Sequence, residues 1–227
     1  MSGHLKRLAA PKAWKILRKG GAFVCKPQPG SHSQSMALPL VYVLRDMLGV
    51  ANTLAEVKKL LHSKEILVDG VRRHDVHFSV GLFDVIALKN VNQNYRIILD
   101  KKGRLDIKEI PAAEANIKLC KVTGKTMLPK GKIQYHLHDG KNLISTKAAQ
   151  VGDTMVLTLP SLEVKEVLPL KSGMTVFLTR GKHSADVGQL KAVTSKEATY
   201  IVDQEEIGTA RDYIFVIGEK KPIITLA

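Results

Sequence analysis

The sequence predicts an α+β protein of several small domains, and three observations carry that prediction. The first thirty-five residues hold seven Lys/Arg and no Asp or Glu, because the first acid is Asp46, so half of the +14 net charge sits in one arm. From Met36 to Lys89, apolar residues first recur at helical spacing and then fall into short strand-like runs. Beyond Lys89, short β-rich runs are separated by Gly-containing turns, the pattern of a barrel or sandwich. A chain of 227 residues also exceeds one typical domain of about 100 to 150 residues. The expected parts are an arm (1–35), a helix pair with a small sheet (36–89), a central β-barrel-like domain (90–170) and a C-terminal β domain (171–227).

The arm carries Lys6, Arg7, Lys12, Lys15, Arg18, Lys19 and Lys26. A segment so polarised fits a phosphate backbone, whose condensed counterions are released when Lys and Arg replace them. Leu5, Leu8, Trp14, Ile16, Leu17, Phe23 and Val24 set it apart from a merely solvated tail. Pro11, then Lys12 to Lys19, then Gly20-Gly21 predicts a short helix, with Pro in the first turn and Gly as the stop. On it Lys12, Lys15 and Lys19 would share one face, and Trp14 and Leu17 another. Trp14 reads as a packing anchor more than as a base-stacking platform, since its buried area contributes more. The stretch Pro27 to Ser35 cannot continue a helix and reads as extended backbone. Seven like charges predict an arm that orders only when neutralised.

Behind Pro39, the residues Leu40, Val43, Leu44 and Met47 define a first helix ending at Gly49. Thr53 and Glu56 form a T-x-x-E capping box for a second helix, with Leu54, Val57, Leu60 and Leu61 facing inward and Lys58 and Lys59 outward. Asp69-Gly70 between Ile66–Val68 and Val71–Arg73 predicts a hairpin, because a type I′ turn wants positive φ at both central positions. Strands are expected around Phe78–Val80 and Phe83–Leu88. Lys58, Lys59, Lys64, Arg72 and Arg73 gather at one side of this unit.

In the centre, Tyr95–Leu99, Ile117–Val122, Ile133–His138 and Met155–Leu159 read as strands, with turns at Lys102-Gly103, Thr123-Gly124, Lys130-Gly131, Asp139-Gly140 and Gly152-Asp153. Residues 90–170 hold thirteen basic and eight acidic residues, so the surplus is thin. Lys125, Lys130, Lys132 and Lys141 are the loop candidates for phosphate. In the last part, with eight basic and seven acidic residues, Thr175–Thr179 and the run from Val187 read as strands around a tight loop carrying Arg180, Lys182 and His183. Tyr213–Gly218 reads as a closing strand.

The runs His4 to Trp14, Leu38-Pro39-Leu40 with Leu44-Arg45-Asp46, Val68-Asp69-Gly70 and Val80 to Ile86 resemble small-subunit ribosomal protein four of the e-type, the archaeal and eukaryotic family. The resemblance covers nearly the whole chain, whose compact length is closer to the archaeal form. It implies that residues 36–89 form the helix-pair RNA-binding module shared with bacterial ribosomal protein four. It also implies that residues 171–227 form an SH3-like KOW barrel, with Arg180 to Lys191 as its loop pattern. The family usually has glycine where this chain has Ala185, while Gly181 and Gly188 keep the pattern. The implied partners are small-subunit rRNA and neighbouring small-subunit proteins in the cytoplasmic ribosome, with neither membrane, small-molecule substrate, cofactor nor self-association. His4, His32 and Arg45 complete the candidate RNA contacts.

Other chemistries are weaker. Gly103-Arg104-Leu105-Asp106 resembles the motif that carries the catalytic aspartate of pseudouridine synthases, but Ile107-Lys108-Glu109-Ile110-Pro111 does not continue it. A KOW-type transcription factor is the other alternative. His136 with His138, or His74 with His77, could bind zinc, yet a third and fourth ligand at a recognised spacing are missing. Cys25 and Cys120 form no CxxC pair. The run length needed to span a bilayer, roughly 20 apolar residues, is not approached, and the N-terminus has no apolar h-region.

Overall fold

A computed structural model describes residues 3–63, 65–202 and 205–226. It has few helices and many antiparallel strands, grouped in two compact units. One unit comprises residues 1–98 and 104–116, the other residues 99–103 and 117–227.

In the first unit, Leu40–Tyr42 begins a helix that continues as a π turn over Val43–Met47, where Leu48 N–H donates to the Val43 carbonyl at 2.9 Å. The helix Leu54–Ser63 opens on the expected capping box: Glu56 N–H donates to Thr53 Oγ1 at 3.3 Å, and Asn52 N–H to Glu56 Oε2 at 2.8 Å. These bonds hold the exposed Glu56 carboxyl below its ordinary pKa. Asp69 and Gly70 take φ of 52° and 76°, as a type I′ turn requires, between strands Ile66–Val68 and Val71–Arg72. The five-stranded sheet of this unit runs in the order 71–72, 66–68, 85–88, 93–99, 105–110. An expected boundary at residues 89/90 therefore falls inside a sheet, since Val85 pairs with Arg96 and Leu88 with Gln93. Hydrogen bonds across that hairpin outweigh the change in composition that suggested a border.

The helix expected at Lys12 to Lys19 does not form. The carbonyls it needs are captured elsewhere. Arg18 donates to the carbonyls of Ala10 at 2.6 Å and Pro11 at 2.8 Å, the Ala13 carbonyl accepts from Leu105 N–H at 2.8 Å, and the Lys15 carbonyl accepts the Tyr42 hydroxyl. Lys12, Lys15 and Lys19 consequently have no common helical face. The arm is packed rather than free: Leu5–Lys6 pairs with Phe23–Val24, and Trp14, 2% exposed, lies against Tyr42 with ring centroids 6.2 Å apart. Burial, reinforced by Asp46, pushes the Tyr42 phenol up to about 12, so it stays a donor.

The second unit contains two five-stranded antiparallel sheets, ordered 142–144, 133–137, 117–127, 154–158, 163–168 and 205–210, 197–202, 187–193, 175–178, 214–218. Cys120, Val122, Tyr135, Leu137, Met155 and Leu157 form the core beneath the first. Strand Thr175–Leu178 pairs on one side with Val187–Val193 and on the other with Ile214–Gly218, which closes that sheet. Between them Gly181 and Ala185 have φ of 101° and 71°. Ala185 thus holds the left-handed backbone for which glycine is the ordinary residue.

Candidate nucleic-acid interface

The cations proposed for phosphate divide into those the fold uses internally and those it leaves outside. Arg18 adds weaker contacts to the Arg7 and Leu8 carbonyls at 3.4 and 3.5 Å, so it braces residues 7 to 11. Arg7 donates from Nε to the Gly21 carbonyl at 3.0 Å and from a terminal nitrogen to that of Leu17 at 3.1 Å. These bonds close the arm on itself through the fork geometry only arginine offers. His32, with a side chain 4% exposed, lies 2.9 Å from Asp84 and fills the space a Cβ on Gly81 would occupy. Ser31 Oγ donates to the Ser79 carbonyl at 2.8 Å beside it. His32 is a latch between arm and sheet, with no face left for a phosphate. Lys6, Lys12 and Lys19 are exposed, Lys26 is half-buried, and exposed His4 stands edge-on to Phe23.

Arm and helix together line a cleft of about 230 Å³, bounded by Arg7, Lys15, Ile16, Leu17, Val24, Tyr42, Arg45 and Asp46. Tyr42, Arg45 and Asp46 stand at i, i+3 and i+4, which puts them on one helix face. That spacing was the available signal for Tyr42 and Asp46, which core periodicity alone passes over. Lys15 Nζ pairs with Asp106 at 3.0 Å and Arg45 with Asp46 at 2.8 Å. Partly exposed pairs of this kind contribute about 0 to 1 kcal/mol and exchange readily.

Elsewhere in this unit Lys58 and Lys59 are exposed on the second helix, and Lys64 lies outside the described residues. Arg72 donates to the His62 carbonyl at 3.0 Å, while Arg73 sits 4.3 Å over the Phe78 ring, a cation–π contact. In the second unit Lys125, Lys130 and Lys132 are exposed around the hairpin that turns near residue 130. Lys141 differs, pairing with Asp139 at 3.3 Å, where fully buried Lys118 also pairs at 2.9 Å. Burial alone would raise the Asp139 carboxyl, but Lys118, then His138 and Lys141, hold it well below the usual carboxylate range. Arg180 and Lys182 are exposed in the loop 179–186, and His183 lies 3.3 Å from Asp186.

The alternative chemistries find little support in the geometry. Asp106 lies on strand Leu105–Ile110, accepting from Lys15 and from Ile107 N–H at 3.0 Å. Cys120, His138 and Asp139 come within metal-ligand reach of one another, but Lys118 and Lys141 already supply the positive charge Asp139 requires. His136 is held between Asn142 Oδ1 at 2.7 Å and Thr126 Oγ1 at 2.8 Å. His74 lies 3.2 Å from the Leu61 carbonyl, and His77 Nδ1 lies 2.9 Å from that of Lys26. Burial, reinforced by Asp75 and opposed by Arg45, pushes the Cys25 thiol beside His77 up to about 11, so it is no thiolate nucleophile.

Residues 91–164 match the model of ribosomal family S4e, and residues 1–35 match the RS4NT (NUC023) domain. Small ribosomal subunit protein eS4 of Methanocella arvoryzae is 39% identical over 97% of this chain and 96% of its own length. The protein of that name from Archaeoglobus fulgidus is 40% identical, over 98% of this chain and 97% of its own. The crystal structure of 30S ribosomal protein S4e from Thermoplasma acidophilum superposes with a TM-score of 0.71 at 27% identity, covering 81% of this chain and 96% of that one.

Proposed function

We infer from one premise, that this chain belongs to ribosomal family S4e, that it is a structural constituent of the small ribosomal subunit and works in the cytoplasmic ribosome. The observation that carries the inference is likeness along the whole length: a relative named for the small subunit aligns over 97% of the chain. The family is a structural one, and no reaction is assigned to this member. Its partners are rRNA and neighbouring small-subunit proteins.

In the finer reading, exposed cations make the RNA contacts and the internal ones shape the surface that carries them. Contacts of this kind position a protein on folded RNA through phosphates and shape. The proposed set is Lys6, Lys12, Lys19, Lys58, Lys59, Lys125, Lys130, Lys132, Arg180 and Lys182, all exposed. The helix pair, with its capping box and Asp-Gly hairpin, supports the reading of an RNA-binding module that begins at residue 36. The strand–loop–strand from Thr175 to Val193, with positive φ at Gly181 and Ala185, supports a C-terminal KOW barrel.

Sedimentation of a lysate at moderate salt tests the assignment. Recovery of the tagged full chain with small subunits is the expected result. Recovery with RNA polymerase, or at the top of the gradient, would overturn it.

A further inference from the structure

We propose that the cleft between the arm and the first helix takes a single unstacked nucleotide of RNA, with its phosphate on the cationic rim and its base on the apolar wall. The proposal rests on the RNA-binding reading above and deepens it, naming one receptor site within a broad basic surface.

Size is the first argument. The cleft encloses about 230 Å³, below the roughly 300 to 1,000 Å³ of pockets for drug-sized ligands. A duplex does not enter such a space, whereas one splayed base does. Charge is the second. Three cations, Arg7, Lys15 and Arg45, meet two acids, Asp46 on the lining and Asp106 paired to Lys15, leaving a surplus of one positive charge. Arg7 is held by the neutral carbonyls of Gly21 and Leu17, which fix its guanidinium without neutralising it. Lys15 and Arg45 pair with Asp106 and Asp46, whose side chains are partly exposed, and solvent weakens such pairs. A phosphate can therefore displace either carboxylate, which then returns to water.

Folding also leaves an apolar wall of the cleft unused. Leu17 is 82% exposed at the cleft, beside half-buried Ile16 and Val24. Single-stranded RNA is read by laying unstacked bases on apolar or aromatic surface and bonding their edges. Asp46, once released by Arg45, is an acceptor for an exocyclic amine of the kind cytosine presents. Tyr42 contributes rigidity, because its hydroxyl is spent on the Lys15 carbonyl and its ring is packed against Trp14.

Trp14 is the only tryptophan of the chain and stacks on a residue lining the cleft, so its emission is a built-in reporter. The experiment titrates the full chain with a single-stranded cytidine-rich decanucleotide, with 5′-CMP, with inorganic phosphate and with an oligo-aspartate peptide. Leu17→Glu and Arg45→Gln serve as cleft variants, each confirmed folded by an unchanged melting temperature. Binding to purified small-subunit rRNA is measured in parallel. The expected result is a saturable change of Trp14 emission with the decanucleotide and, more weakly, with 5′-CMP, with affinity reduced at least tenfold in both variants. A response to phosphate or to the peptide equal to that with 5′-CMP would overturn the nucleotide pocket. So would rRNA binding by the wild type with no emission change and equal affinity in both variants, a result that leaves the RNA-binding reading standing. Failure of the wild type to bind rRNA at all would sink that reading, and the pocket with it.

Discussion

The N-terminal arm and the central hairpin around residue 130 are both basic, yet they deploy their charge in opposite ways. In the arm, Arg7 and Arg18 turn inward and satisfy backbone carbonyls, and His32 is sealed against Asp84. In the hairpin the inward cations are two lysines near its base, Lys118 matched by a buried acid and Lys121 held by the Asp212 and Ile214 carbonyls, while Lys125, Lys130 and Lys132 stand in water. The arm has no acid before Asp46. An arginine folded inward there must be satisfied by peptide oxygens, which its planar fork can bridge several at a time. Where an acid is available, a lysine suffices. Charge density along a sequence thus marks a basic surface without telling which cations form it.

The comparison breaks most visibly at the buried pair. Asp139→Asn leaves Lys118 without its compensating charge, which costs about 3 to 5 kcal/mol when a buried partner is removed. Urea unfolding followed by circular dichroism measures that loss. The same carboxyl gives an acid dependence. Because its folded pKa is depressed, it contributes stability that is present above the unfolded value, about 3.9, and lost as pH falls through the folded one. Asp139→Asn removes that acid limb.

Arg18→Ala tests the other region. Four carbonyls lose a charged donor, two of them at 2.6 and 2.8 Å, and hydrogen bonds to charged groups are worth about 1.5 to 3 kcal/mol. A loss of about 2 to 3 kcal/mol is expected in unfolding followed by Trp14 emission, against less than about 0.5 kcal/mol for Lys132→Ala, typical of an exposed site with ordinary backbone. Equal effects would erase the distinction between inward and outward cations.

Lys121 sharpens the contrast within the second unit. Its ammonium donates to the carbonyls of Asp212 and Ile214 at 2.9 and 2.7 Å, and burial depresses its pKa to about 8. The unfolded chain keeps that proton up to about pH 10.4, so between these values the unfolded state binds more protons and stability rises with pH. A gain of about 1 kcal/mol from pH 7.5 to 9 is expected, and Lys121→Met flattens it.

The smallest effect concerns Ala185, whose φ of 71° strains a residue carrying a Cβ. Ala185→Gly is expected to raise stability by about 0.5 to 1 kcal/mol, the left-handed cost for an L-residue less the extra flexibility of glycine when unfolded. A loss on this substitution would show that the loop is held by contacts of the alanine methyl.

What the sequence made legible was local. The capping box of Thr53 and Glu56, the Asp69-Gly70 turn and the strands from Tyr95 to Leu159 each depend on residues within a few positions of one another and appear where expected, with one exception. Ile117–Val122 runs on to Met127 through the expected Thr123-Gly124 turn, which is a bulge in the pairing with Ile133–Leu137. The arm departs from its expected helix because its conformation is decided at a distance. Pro11 and Gly20-Gly21 do punctuate a helix, but Leu105 and Tyr42, far along the chain, take the carbonyls that helix needs. The sheet that continues from Leu88 to Gln93 was hidden for the same reason, since pairing across a turn leaves no mark in composition. Of the candidate site, residue types were legible and orientation was not. Nothing in the spelling of Arg7, Lys12 and Arg18 tells which one faces outward.

In the proposed interface, exposed lysines supply the broad rRNA contact while the inward cations shape the surface, Arg7 alone among them also facing the arm–helix cleft. This division is tested most directly by the salt dependence of binding to small-subunit rRNA. Replacing Lys6, Lys12 and Lys19 together by Gln is expected to leave the melting temperature unchanged and to flatten the slope of log K against log salt by about 2, at roughly 0.7 to 0.9 per phosphate contact. An unchanged slope in a folded triple variant would contradict the account.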